Sequence, residues 1–207
     1  LGRNSIDINT NWKTQMSDLI KLSPKEMKIC KLIATARMQE SRKAGIYDRS
    51  ASELMRGRGG IQWDLLGVFG EMALAKWLDI KYIADVNSFH SIRDVGPFEV
   101  RAAGKDHYNL ILRDSDREIG DKPFVLVVQR SIGVFRVVGW MYGKHGFKQE
   151  YMNSFGLEYR DPAYKIPQVK LIKNFDRFAP ELEKCEYPFK IILPGVVKKY
   201  RYESCEV

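Results

Sequence analysis

Five consecutive apolar residues, Phe124-Val125-Leu126-Val127-Val128, stand in the second half of the chain and constrain its fold more than any other segment. A strand with one wet face alternates polar and apolar residues; a run without a polar position predicts a strand covered on both faces. The run is far too short to cross a bilayer. Residues 134–140 read as its antiparallel neighbour, and Ser131 and Gly133 between them fit a short hairpin. Residues 98–103 alternate cleanly and predict another strand, 109–113 a weaker one, with brief apolar segments around 166–172 and 189–197. Residues 143–159 read as a short helix or loop.

Two helices precede the strands. Ser23, Pro24 and Glu26 give an N-cap, a proline in the first turn and a capping box. Ile29, Leu32, Ile33 and Ala36 form the expected buried stripe, and Gly45 is the expected stop. A second helix is expected over 64–78, burying Leu65, Leu66, Phe69, Ala73 and Trp77. Helices followed by strands around one central sheet imply an α/β or α+β fold. The expected organisation is an irregular lead-in over 1–22, a domain over 23–170, and an extension over 171–207 packing on it.

The 207 residues, 44% hydrophobic and 29% charged, suffice for one domain with a full core. Cys30, Cys185 and Cys205 make neither a disulfide framework nor a CxxC knuckle, and His90, His107 and His145 add no zinc spacing. No basic-then-apolar leader signals secretion, and an intracellular location is expected. Lys and Arg outnumber Asp and Glu by 34 to 26, a net charge of +8 that favours a polyanionic partner without naming it.

Two places invite chemistry. Glu71 is the single charged residue between Leu65 and Ala75, on a helix whose Gly67 and Gly70 imply a close neighbour. A carboxylate on so apolar a face needs a cation or donors, and an Arg on the first helix is the structural alternative to a functional role. In Asp94-Val95-Gly96-Pro97-Phe98-Glu99-Val100-Arg101, strand alternation puts Glu99 and Arg101 on one face and Phe98, Val100 and Ala102 on the other. The Gly-Pro turn can fold Asp94 back toward Glu99. Glu71, Asp94 and Glu99 are then expected to converge on one hard divalent cation. The alternative is an exposed Glu-x-Arg ladder on a solvated face.

Read in order, the G-x-x-G-E helix, the D-x4-E-V-R segment, the Val-rich strand and Phe135-Arg136-Val137-Val138-Gly139-Trp140 resemble the PD-(D/E)XK nuclease superfamily, small phage and prokaryotic members above all. The resemblance covers about Arg37 to Gln168. It implies an α/β, restriction-endonuclease-like fold: a central mixed sheet of about four to five strands flanked by helices. It further implies Mg²⁺ or Mn²⁺ held by Asp94 and Glu99 with Glu71 completing the site, and a setting in bacterial or phage-infected cytoplasm. Arg101 stands where the family has Lys; it remains cationic and cannot act as a base, though it can hold a phosphate. Lys105 is the candidate for the missing ammonium, and His107 for a proton shuttle.

The substrate surface is expected where basic residues gather: Arg37, Arg42, Lys43, Arg56 and Arg58, suited to a phosphate backbone. Lys198, Lys199 and Arg201, near Tyr187, Tyr200 and Tyr202, form a second basic run. The expected function is Mg-dependent phosphodiester hydrolysis in nucleic acid, DNA foremost, with no membrane partner. The alternative is a nuclease-like protein that binds nucleic acid without cutting it. The sequence leaves the oligomeric state open, a homodimer included.

Overall fold

The structure, a computed structural model, describes residues 19–45, 60–84, 86, 94–119, 121–155 and 163–183. Ser23 caps helix α1, Pro24–Lys43: its hydroxyl accepts from Glu26 N at 3.2 Å, and the Glu26 carboxylate accepts from Ser23 N at 2.6 Å. The expected capping box is complete. The buried face is rotated from expectation: Cys30, Ile33 and Ala34 point inward, whereas Leu32 is exposed. Helix α2, Gly60–Trp77, starts about a turn earlier than expected. From Val68 to Ala75 it is buried on every side, because α1 covers the side turned away from the sheet.

The strands are β1 (Ile20–Lys21), β2 (Glu99–Ala103), β3 (Leu110–Arg113), β4 (Pro123–Ser131), β5 (Val134–Tyr142), β6 (Met152–Asn153) and β7 (Ala163–Ile166). Short helices α3 (Gly143–Gly146) and α4 (Ala179–Glu183) follow β5 and β7. The lead-in is therefore not wholly irregular: β1 pairs antiparallel with β5 through Ile20 and Phe135. A mixed four-stranded sheet has the order β1-β5-β4-β2, with β2 parallel to β4 and the other pairs antiparallel. The molecule is thus an α/β domain with helices packed on a mixed sheet.

The expectation of one sheet is corrected. A second sheet, β3-β7-β6, covers the face that the helices leave. The 124–128 run explains why: alternate residues feed two cores. Val125 and Val127 join Val100, Phe135, Val137 and Trp140 beneath the helices. Phe124, Leu126 and Val128 join Val138, Met141, Leu110, Leu112, Tyr164 and Ile166 beneath the second sheet. Trp140 is core, as expected, and its indole donates to Asn174 O at 2.8 Å. Phe175, Phe178 and Leu182 close the first core from the chain's later part.

The close approach expected at α2 occurs at one glycine of the two. A Cβ on Gly70 would lie 2.7 Å from the Cβ of Ala102 on β2, while one on Gly67 would meet nothing within 4 Å. Gly70→Val should therefore destabilise the fold by about 1–3 kcal/mol through overpacking. Gly67→Ala should be neutral or stabilising by up to about 1 kcal/mol. Urea unfolding of the two variants checks both signs.

Candidate functional site

Glu71 projects from the middle of α2 toward α1, where Arg37 meets it side-on. Arg37 Nη1 lies 2.7 Å from Glu71 Oε1 and Nη2 lies 2.9 Å from Oε2. The Tyr82 hydroxyl donates to Oε2 at 2.5 Å. Both carboxylate oxygens are thus engaged by donors, the structural alternative to a ligand role. Burial opposes the charge on Arg37, but the Glu71 carboxylate outweighs it and holds the guanidinium above its ordinary pKa. Burial and the same carboxylate push the Tyr82 phenol up and the Cys30 thiol up to about 12, so both stay protonated. Arg37, expected on the substrate surface, is a buried-pair partner instead.

The second acid arrives by a turn. Val95 and Phe98 exchange backbone hydrogen bonds, and Gly96 between them takes φ 52°, a left-handed conformation that glycine reaches without steric cost. Pro97 follows it, as in the hairpin turns that carry glycine first. The turn folds Asp94 back along β2, where its Oδ2 accepts from Val100 N at 2.7 Å. Asp94 and Glu99 are therefore brought together, as the turn chemistry implied.

Glu99 begins β2, on the face away from the helices. Glu99 is 6% exposed and belongs to no solvated ladder. Lys122 Nζ lies 2.9 Å from Glu99 Oε1. Parallel pairing puts the starts of β2 and β4 side by side, with Glu99 opposite Phe124 and Lys122 just ahead of it. Arg101 points along the same face but is tied down: it donates to Asp116 Oδ1 at 2.8 Å and to Val100 O at 3.1 Å, and it stacks on Phe124. Asp116 is buried and also accepts from Arg113 N at 2.8 Å. Lys105 does not reach this group. It sits in the turn at the other end of β2, over the Tyr108 ring, and His107 packs edge-on against the same ring. Arg42 and Lys43 are exposed on the last turn of α1, and Lys43 pairs with Glu40. Arg56, Arg58 and the basic run at 198–201 lie outside the described residues.

No family model matches the chain, and no curated protein or solved structure matches it.

The expected three-carboxylate cage is not formed. Among the described residues no group of three or more His, Cys, Asp or Glu side chains is arranged to hold a metal ion. Glu71 is withdrawn by Arg37 and Tyr82. Asp94 and Glu99 differ from it: among the described residues each keeps one oxygen without a hydrogen-bond partner, Oδ1 and Oε2. Burial, then the negative charges of Glu71 and Glu99, push the Asp94 carboxyl up to about 7. Asp94 and Glu99 repel each other, and two such carboxylates, each with an oxygen unpartnered among the described residues, could share a divalent cation with water or phosphate in its remaining positions. Lys122, Tyr82 and Asp116 do not stand out in the sequence. Lys122 has a signal, a lysine immediately before the buried strand, but its use requires knowing that β2 and β4 run parallel.

Two outcomes follow from these charges. Arg37→Met strands a buried carboxylate and should cost about 2–4 kcal/mol, the lower part of the usual range because Arg37 is half-buried. Adding Glu71→Gln should recover most of that loss in the same urea titration. The Asp94 carboxyl titrates higher folded than unfolded, so the folded state binds the extra proton and stability falls as pH rises from about 4 to about 7. Asp94→Asn removes that dependence and still accepts from Val100 N. Its stability relative to the parent should rise by about 1–3 kcal/mol between about pH 5 and pH 8.

Proposed function

We propose that this chain is a metal-dependent nuclease of the restriction-endonuclease-like type, hydrolysing phosphodiester bonds in nucleic acid, DNA foremost. One observation carries the reading: at the start of β2, Asp94 is tied to the Val100 amide and feels the charge of Glu99, which in turn pairs with the Lys122 ammonium. Asp94 Oδ1 and Glu99 Oε2 would hold Mg²⁺ or Mn²⁺. A bound cation of this kind supplies an activated water and charge stabilisation at the scissile phosphate.

The remaining roles belong to the chain. The Gly96-Pro97 turn and the Val100 amide fix the Asp94 carboxylate beside Glu99. Lys122 holds Glu99 Oε1 and offers its other protons to a water or a phosphate oxygen. Arg101, held by Asp116 and Phe124, contributes a fixed positive charge that lowers the Asp94 pKa against the crowding acids. Glu71 and Arg37 set the field and the position of α2. With Asp94 protonated below about 7, cation binding and turnover should increase with pH across that value.

A binding protein without turnover is the rival reading, favoured by Glu71 being engaged at both oxygens. Supercoiled plasmid incubated with the protein at about pH 8 separates the two. With Mg²⁺ or Mn²⁺ the parent should nick it; Asp94→Asn and Glu99→Gln should abolish nicking and Lys122→Ala should reduce it about 100-fold or more. Parental nicking by Asp94→Asn and Glu99→Gln would sink the site; a parent that binds but never nicks establishes the rival.

A further inference from the structure

The end of the sheet opposite the carboxylates gathers the reverse charge. β4 runs from Pro123, next to Lys122, to Ser131, about 25 Å at the usual rise per residue. At that far end the Asp106 carboxylate accepts from both Arg130 and Arg136, the latter at 2.8 Å. Lys173 approaches from the chain's later part, donating to Val138 O, and Lys105 precedes Asp106 in the turn after β2. Two cations thus bind one carboxylate, with Lys173 beside Arg136 and Lys105 next to Asp106 in the chain. The Arg136 hydrogen bond keeps Asp106 ionised below its ordinary range, and burial with the Arg136 charge lowers the Lys173 pKa.

Beside them stands a rigid aromatic ring. Tyr108 is 42% exposed. Its turn is closed by Tyr108 N donating to Lys105 O at 3.1 Å, and pinned by Gln168 Nε2, which donates to Asp106 O at 2.6 Å and Tyr108 O at 2.7 Å. Lys105 lies over the ring and His107 meets its edge. A fixed, exposed ring among clustered cations is the combination that binds unpaired nucleic acid: cations take phosphates, and a base stacks on the ring. Rigid placement lowers the ordering cost of such a contact.

We propose that Lys105, Tyr108 and Arg130 form a contact for an unpaired stretch of nucleic acid, remote from the carboxylate site. It rests on the nucleic-acid part of the functional reading and not on cleavage. Along β2 and its turn the contact lies about 15–20 Å from Glu99.

The test is fluorescence anisotropy in a chelator with the full chain carrying Glu99→Gln, using labelled 20-nucleotide oligo(dT) and a 20-base-pair duplex. Tyr108→Ala should weaken oligo(dT) binding about 5- to 50-fold and duplex binding less than about twofold, while Tyr108→Phe retains both. Lys105→Ala and Arg130→Ala should each reduce the slope of log affinity against log salt by about 0.7 on oligo(dT). Parental oligo(dT) binding by Tyr108→Ala, or equal losses on both probes, would overturn the contact. So would a chain that does not bind oligo(dT) in a salt-sensitive way. If Tyr108→Ala fails to fold, unchanged salt slopes in Lys105→Ala and Arg130→Ala would overturn the contact equally. A plasmid that is never nicked would remove the nuclease reading and leave this contact intact.

Discussion

The bidentate bond between Arg37 and Glu71 is the contact around which the helical half of the molecule is arranged. It joins α1 to α2 at the point where α2 is buried on all sides, and Tyr82 extends it to the chain beyond α2. A charge in that position is tolerated only because both oxygens have donors. Its consequence reaches past the pair itself. The Glu71 charge is felt at Asp94, where with burial and Glu99 it raises the carboxyl's pKa toward neutrality. A residue that looks like a ligand in the linear order thus acts as a neighbouring charge on a second carboxylate.

The position of α2 is set in turn by the absence of a side chain at Gly70, which brings the helix against Ala102 and Val100 of β2. β2 therefore lies against α2 on one face, while on the other its Glu99 and Arg101 stand beside Phe124 and Leu126 of β4, which face the second sheet. Its parallel pairing with β4 then decides which residues meet at its start. An antiparallel partner would have put the end of β4 beside Glu99, with Arg130 there in place of Lys122. Direction, more than spacing, supplies the ammonium group.

Much of this is legible in the sequence. The capping box at Ser23, the two helices, the 124–128 strand and the hairpin after it all follow from local chemistry, although α2 begins a turn early and the inward face of α1 is rotated from its expected stripe. The fold-back of Asp94 is legible because Gly96-Pro97 is a turn whatever surrounds it. Three features are not. The second sheet needs strands as short as Met152–Asn153, below the length at which alternation gives a signal. Glu71 has two readings of equal chemical sense, and only the crossing of α1 over α2 brings Arg37 to it. Lys105 is near Arg101 in the chain and so stands out first, whereas strand pairing makes Lys122 near in space.

β2 is also an edge strand, and an exposed edge ordinarily invites pairing with another chain. At Val100 that opportunity is closed by the same two side chains that the site uses. Asp94 accepts from the Val100 amide and Arg101 donates to the Val100 carbonyl, so the outward backbone groups at that position are satisfied from within the strand's own neighbourhood. Asp94 consequently has one oxygen committed to structure and one available to chemistry. Under the metal-binding reading proposed above, that division would limit it to a monodentate role unless the Val100 amide is released. It also explains how a carboxyl with a raised pKa keeps a fixed direction: the amide orients it whether or not it carries a proton, and pH changes its charge while leaving its place.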